Sequence, residues 1–200
     1  MLFNSDDEVF KHLKGIVSLN GGRVVIENID RPKKQGIDTL VENSVLNASS
    51  QIRGLSRFII KSSALEMGIV SSSIQGLYDA RGRDECGGFT VPAINIRGMS
   101  YDFSRSIFRT AQKLNTGSFI FEIAKSEIGY TFQQPHEIVG VILGAAIREN
   151  HTGPVFIQGD HFQVNAKNFH NNKDKEISGL KKLIQKGVEA GFYNIDIDTS

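Results

Sequence analysis

Only one cysteine, Cys86, occurs among the 200 residues, which excludes an internal disulfide framework. It stands between an acid and two glycines with no partner in sight, and reads as non-catalytic. Charge of one sign is equally scarce: 23 Lys and Arg against 22 Asp and Glu leave a net charge of +1. No global field therefore favours nucleic acid or an anionic membrane as a partner. No apolar run approaches the roughly 18 residues of a spanning helix. The start, Met1-Leu2-Phe3-Asn4-Ser5-Asp6-Asp7, is acidic and lacks the apolar core of a signal peptide. A cytoplasmic protein is expected. Hydrophobic residues, by contrast, make up 40% of the chain, enough for one good-sized domain to bury a substantial core.

The most informative stretch is Pro154-Val155-Phe156-Ile157-Gln158-Gly159-Asp160-His161. A run of β-branched and aromatic residues leads straight into a glycine, an aspartate and a histidine. This reads as a buried strand whose C-terminal end opens onto polar chemistry. Similar units flank it. Phe89 to Ile96 predicts a first strand, and Phe103, Ile107, Ala111 and Leu114 one face of a helix closed by Asn115-Thr116-Gly117. Ser118 to Ala124 predicts a second strand, followed by a helix from Pro135 to about Asn150 through Ile138, Val141, Ile142 and Ala145. After the third strand, Ile177, Leu180, Ile184 and Val188 mark a helix with Gly191 as its C-cap, and Phe192 to Asp198 a fourth strand.

Strands alternating with helices give a parallel sheet. Doubly wound sheets and (β/α)8 barrels both fit, but no G-x-G-x-x-G follows the first strand, which removes the main reason to prefer a dinucleotide fold. The sequence stops at Asp198-Thr199-Ser200, the end of a strand with no helix to cover it. The expectation is therefore an α/β chain carrying the N-terminal half of a (β/α)8 (TIM) barrel over residues 89–200. Residues 1–88 are expected to form a mostly helical leader. In it, Asp6-Asp7-Glu8 predict a short helix, Val24-Val25-Ile26 a strand after Gly21-Gly22, and Arg31 to Gly36 a turn or exposed loop. Ile37 to Met67 has roughly helical spacing, and Ser71-Ser72-Ser73 and Ala80 to Asp84 read as loops.

Chemistry points first to Asp160 and His161. A histidine at a strand end is a ready Zn²⁺ ligand, and an adjacent carboxylate serves as general acid or base. Neighbours in a regular strand point to opposite faces, so both face one site only if the chain turns, as Gly159 and the strand's end permit. The alternative is a strand-capping aspartate beside an exposed histidine. Asp198 occupies the equivalent end of the fourth strand, either as a site residue or as the cap of a following helix. Asp196 shares its face and in a barrel interior needs a partner. Asn95 offers a donor and an acceptor on the same rim. Lys125 suits a phosphate, an ion pair with its acidic neighbours, or a Schiff base. His12, His136, His151 and His170 read as solvated.

Together these segments resemble the class II (metal-dependent) aldolases of fructose- and tagatose-bisphosphate. Val91-Pro92-Ala93-Ile94-Asn95, Ser118 to Ala124, Gly153 to His161, and Gly187-Val188-Glu189-Ala190-Gly191-Phe192 through Ile197-Asp198-Thr199-Ser200 match that family's first four strand ends in order. The resemblance implies a carbon–carbon lyase in which Asp160 is the proton donor, His161 a ligand of the catalytic zinc, and Asp198 a ligand of a second, accessory metal. Asn95 and Lys125 are then substrate-binding. It implies a dihydroxyacetone phosphate enediolate stabilised by Zn²⁺, a sugar-phosphate substrate, a homo-oligomer, and further ligands beyond Ser200. Gln158 stands where the family has a second histidine, Ala124 where a serine is common, and the leader is long. Gly159-Asp160-His161 with Asn165, and Ala190-Gly191-Phe192, are similar also to the non-catalytic accessory chain of tagatose-bisphosphate aldolase. A sugar-phosphate-binding barrel without catalysis is a third reading.

Overall fold

A computed structural model describes residues 1–27 and 36–199, with helices and strands interspersed along the chain. The order begins α1 (Asp6–His12), β1 (Val17–Asn20), β2 (Arg23–Ile26), α2 (Ile37–Leu46), α3 (Ser50–Glu66), β3 (Ile69–Ser72) and α4 (Gln75–Gly82). It continues β4 (Ala93–Asn95), α5 (Ser100–Leu114), β5 (Ile120–Ala124), α6 (Lys125–Thr131) and α7 (Pro135–Arg148). Last come β6 (Gly153–Asp160), α8 (Ala166–Asn171), α9 (Lys173–Ala190) and β7 (Asn194–Ile195). The Arg31–Gly36 turn read from the sequence lies, apart from Gly36, outside the described residues. No helix among the described residues is long and apolar enough to cross a membrane.

The chain divides into two compact units. The first comprises Met1–Val70, Met99–Thr116 and Glu137–Pro154. Its β1–β2 hairpin turns at Gly21-Gly22, both at positive φ (56° and 79°), as a tight two-residue connection requires. The helical spacing from Ile37 to Met67 resolves into α2 and α3. Asn47 leaves the helix in an extended conformation and bonds the Phe3 carbonyl at 2.8 Å, while Ser49 caps α3 by accepting the Ile52 N–H. Side chains of this kind compete with the helix backbone, so the serines and asparagines end one helix and start the next. α7 is apolar on nearly every side, with Val139, Ala145, Ala146 and Ile147 fully buried.

Several sequence readings are corrected here. In α5 the inward residues are Ser104 and Phe108, whereas Phe103 and Leu114 are exposed, so the apolar stripe is rotated by about one position. Ser71 and Ser72 belong to β3 rather than a loop, because pairing in a sheet overrides the weak strand preference of serine. α4 extends to Gly82 through residues read as a loop, supported by the Gln75–Asp79 hydrogen bond (2.8 Å) one turn apart. His12 is not solvated: its Nε2 is buried without a partner among the described residues, and its ring lies 5.3 Å from that of Phe3.

The second unit comprises Ser71–Gly98, Gly117–His136 and Val155–Ser200. Its strands β4, β5, β6 and β7 run parallel in that order, which the alternation of strand and helix predicted. β3 also pairs β6 in the same sheet. Both β4 and β7 are shorter than the sequence suggested. The register sorts side chains cleanly. Asn95, Glu122, Gln158 and Asn194 stand opposite one another in one row, and Ile94, Phe121 and Ile157 in the row before it. Because side chains alternate along each strand, the sheet has one apolar face and one face crossed by a polar row. Phe121, Ile123 and Ile157 are buried on the first; Asn95, Glu122, Gln158 and Asn194 are half-buried on the second.

Gly159 has a packing role at the end of β6. A Cβ at this position meets the Phe162 ring at 2.7 Å, and that ring is fully buried. Gly159→Ala is expected to destabilise the protein by about 1–3 kcal/mol, the usual cost of an overpacked core. Gly179→Ala, on the open side of α9 with nothing within 4 Å, is expected to stabilise it by about 0.5–1 kcal/mol. Denaturant midpoints of the two variants check the pair; equal shifts contradict the packing role.

Candidate active site

The site forms where the parallel strands end. β6 stops at Asp160, and His161 adopts a left-handed backbone, φ 45°. That turn resolves the difficulty of two adjacent residues serving one site, and it falls at His161 rather than at Gly159. Backbone bonds hold it. The Asp196 N–H donates to the Gly159 carbonyl (2.8 Å), and the Phe162 N–H donates to the Asp196 carbonyl (2.9 Å). Phe162, folded back over Gly159, fills the space beneath.

The imidazole that emerges is surrounded by carboxylates. Its Nδ1 lies 3.3 Å from Asp198 Oδ2 and 3.8 Å from Asp196 Oδ2, and its Nε2 lies 3.7 Å from Asp160 Oδ1. The His161 backbone N–H also donates to Asp196 Oδ2 (3.3 Å). Asp160 and Asp198 are mostly sheltered, with side-chain exposures of 19% and 17%, whereas the His161 ring is 60% exposed. The negative charge of Asp160 first, then the hydrogen bond to Asp198 and the charge of Asp196, hold the imidazolium above its ordinary pKa.

Donor chemistry fits a divalent cation. Ligand atoms of Asp160, His161 and Asp196 all lie within 4.8 Å of one another. Two donors on a tetrahedral ion stand about 3.4 Å apart, so the three side chains would have to draw closer together to share one. The exposed ring leaves room for further ligands.

Asn95 lies on the same rim. Its amide nitrogen donates to Asp160 Oδ2 (3.4 Å) and to Glu127 Oε2 (2.9 Å). Glu127 is the third residue of α6, and its carboxylate reaches back to the Ala124 N–H at the helix start (2.9 Å). This is the Glu half of a capping box; the other half, an N-cap side chain accepting the Glu127 N–H, is one that Ala124 has no acceptor to supply. Arg97 donates to the other oxygen of Glu127. Burial pushes Glu127 up, but the donors Ala124, Asn95 and Arg97 outweigh it and hold the carboxylate below its usual range. Glu122 goes the other way. Its burial raises its pKa against the hydrogen bond from Gln158 (2.7 Å), and the charges of Asp160 and Glu127 add to the rise.

Lys125 lines a cavity of about 580 Å³ together with Ser126, His161, Gln163, Asn165 and Asp198. Its ammonium donates to the Gln163 carbonyl (2.7 Å) and lies 3.8 Å from Glu176, so its partners come from distant segments rather than its acidic sequence neighbours. The structure thus brings Asp160, His161 and Asp198 together, ties Asn95 to Asp160, and puts Lys125 in the wall of the cavity that His161 and Asp198 also line. Sequence reasoning did not give Glu127, Arg97, Glu122 or Asp196 a role here. For Glu122 a signal existed: one polar residue interrupts each apolar strand near its end, as Asn95, Glu122, Gln158 and Asn194. No protein-family model matches the chain, and no curated protein matches it.

In metal-free protein the His161 ring is expected to titrate above 6.5, its ordinary value. Its contribution to stability is then fully present below that ordinary pKa and is lost as pH rises through the raised folded value. Ring-proton NMR checks both parts. Asp160→Asn is expected to lower the midpoint most, and a midpoint at or below 6.5 contradicts the described surroundings.

Proposed function

We propose that this chain supplies the metal-ligating and proton-transfer residues of a zinc-dependent ketose-bisphosphate aldolase, on the first strands of a (β/α)8 barrel. The observation that supports it most is the meeting of Asp160, His161, Asp196 and Asp198 at the carboxyl ends of β6 and β7. Parallel-sheet enzymes place their chemistry at that end of the strands. The resemblance of the strand ends to class II aldolases supplies the reaction class.

His161 and the neighbouring aspartates would hold Zn²⁺, which would supply a Lewis acid for the ketone oxygen of the substrate. His161 would supply the imidazole ligand, its Nδ1 facing Asp196 and Asp198. Asp198, 3.3 Å from that nitrogen, would be a further ligand beside it. Asp160, although within reach of the same cation, faces the opposite ring nitrogen at 3.7 Å and is the carboxylate given the proton-transfer role in this reading. It exchanges a proton with the aldehyde-derived oxygen as the carbon–carbon bond forms or breaks. Lys125 contributes positive charge to the cavity wall, where a substrate phosphate carries the opposite sign.

Metal content and aldol cleavage of fructose- or tagatose-1,6-bisphosphate, measured on single variants, test this reading. His161→Ala is expected to lose bound zinc. Asp160→Ala is expected to keep zinc yet lose turnover by roughly 10²–10⁴-fold, the usual contribution of a general acid–base group. Normal cleavage by Asp160→Ala contradicts the assignment. Cleavage that appears only when a catalytic partner chain is added points instead to an accessory chain.

A further inference from the structure

Glu127 is only 5% exposed, yet it is a carboxylate, and it sits in the first turn of α6, directly after β5 ends. A buried charge persists where donors surround it, and here three converge: the Ala124 N–H, the Asn95 amide and Arg97. A carboxylate accepts and never donates when ionised. The amide of Asn95 must therefore turn its nitrogen, not its oxygen, toward Glu127. The same nitrogen carries a second N–H, and the structure directs it at Asp160 Oδ2 (3.4 Å). Asp160 Oδ1 is left facing His161 Nε2 at 3.7 Å.

We infer that Glu127 is the positioning residue of this site, fixing the Asn95 amide so that it holds one oxygen of Asp160 and leaves the other free for proton transfer. The inference rests on the aldolase reading for its kinetic consequence and on geometry alone for its structural one. Glu127 is not itself a lining residue of the cavity, which it meets only at the Ala124 backbone N–H, so its link to Asp160 passes through Asn95. Arg97, mostly exposed, secures the far oxygen of Glu127 from the solvent side.

Two measurements on the zinc-loaded protein test this. The first is the side-chain amide NMR signal of Asn95, which needs no activity. Both of its protons are expected to show the downfield shift and slow exchange of hydrogen-bonded amides. Asp160→Asn is expected to alter one of them, and Glu127→Ala both. If Glu127→Ala leaves the Asp160-facing proton unchanged, the inference is overturned. Should the alanine variant fail to fold, Glu127→Leu, which keeps the volume without the acceptor, gives the same readout. The second is a kinetic cycle. Glu127→Ala and Asn95→Ala are each expected to lower kcat by about 10–100-fold, the range for groups that orient a functional side chain, with KM and zinc content unchanged. The double variant is expected to match Asn95→Ala alone, because one residue acts through the other. Fully additive losses overturn the inference. If Asp160→Ala abolishes cleavage while Glu127→Ala retains wild-type kcat, the inference fails and the aldolase reading stands. If the wild type shows no cleavage, the aldolase reading fails and the amide signals alone decide.

Discussion

A regular strand sends adjacent side chains to opposite faces, and the site depends on breaking that rule at one residue. The break is the left-handed backbone of His161, directly after β6 ends. A non-glycine residue there carries a steric cost, and local bonding compensates for it. The Phe162 N–H is fixed on the Asp196 carbonyl, and the buried Phe162 ring packs against the bare Cα of Gly159. Glycine, phenylalanine and the backbone of the next strand thus hold the histidine in place before any ligand is considered. The same clamp draws Asp196 beside the imidazole, which is how carboxylates of β6 and of the segment after β7 come to surround one ring.

Electrostatics at the rim follows from the sheet register. The polar row from Asn95 through Glu122 and Gln158 to Asn194 runs across one face, while the opposite face is packed with isoleucine and phenylalanine. A row of this kind is tolerated because its members pair with one another or with backbone. Gln158 donates to Glu122, Asn95 to Glu127, and Asn194 accepts the Ile74 N–H. Glu122 and Glu127 have opposite displacements in pKa for a plain reason. Glu127 has three donors and Glu122 has one, so burial dominates in only the second.

Strong periodicity made the parallel order of β4 to β7 legible in the sequence, as were α7 from Pro135 and the Gly191 cap of α9. Asp160, His161 and Asp198 stood out because each follows an apolar run. What composition could not reveal is set by three-dimensional register. The inward face of α5 falls on Phe108 rather than Phe103, a rotation that spacing alone leaves open. β3 forms from serines because a neighbouring strand supplies its hydrogen bonds. Glu127 reads in the sequence as one more acid near Lys125; only the fold shows that it folds back to Ala124 and reaches Asn95, 32 residues earlier.

The central claim is that the turn at His161 assembles a cation site from this imidazole and the neighbouring aspartates. Proton NMR of the protein with Co²⁺ in place of zinc tests it most directly, because the paramagnetic ion shifts the ring protons of any histidine it binds. The account predicts hyperfine-shifted ring protons from His161, with none from His12, His136, His151 or His170. Ring protons of His161 unmoved by Co²⁺, or shifts on another histidine in their place, would contradict it.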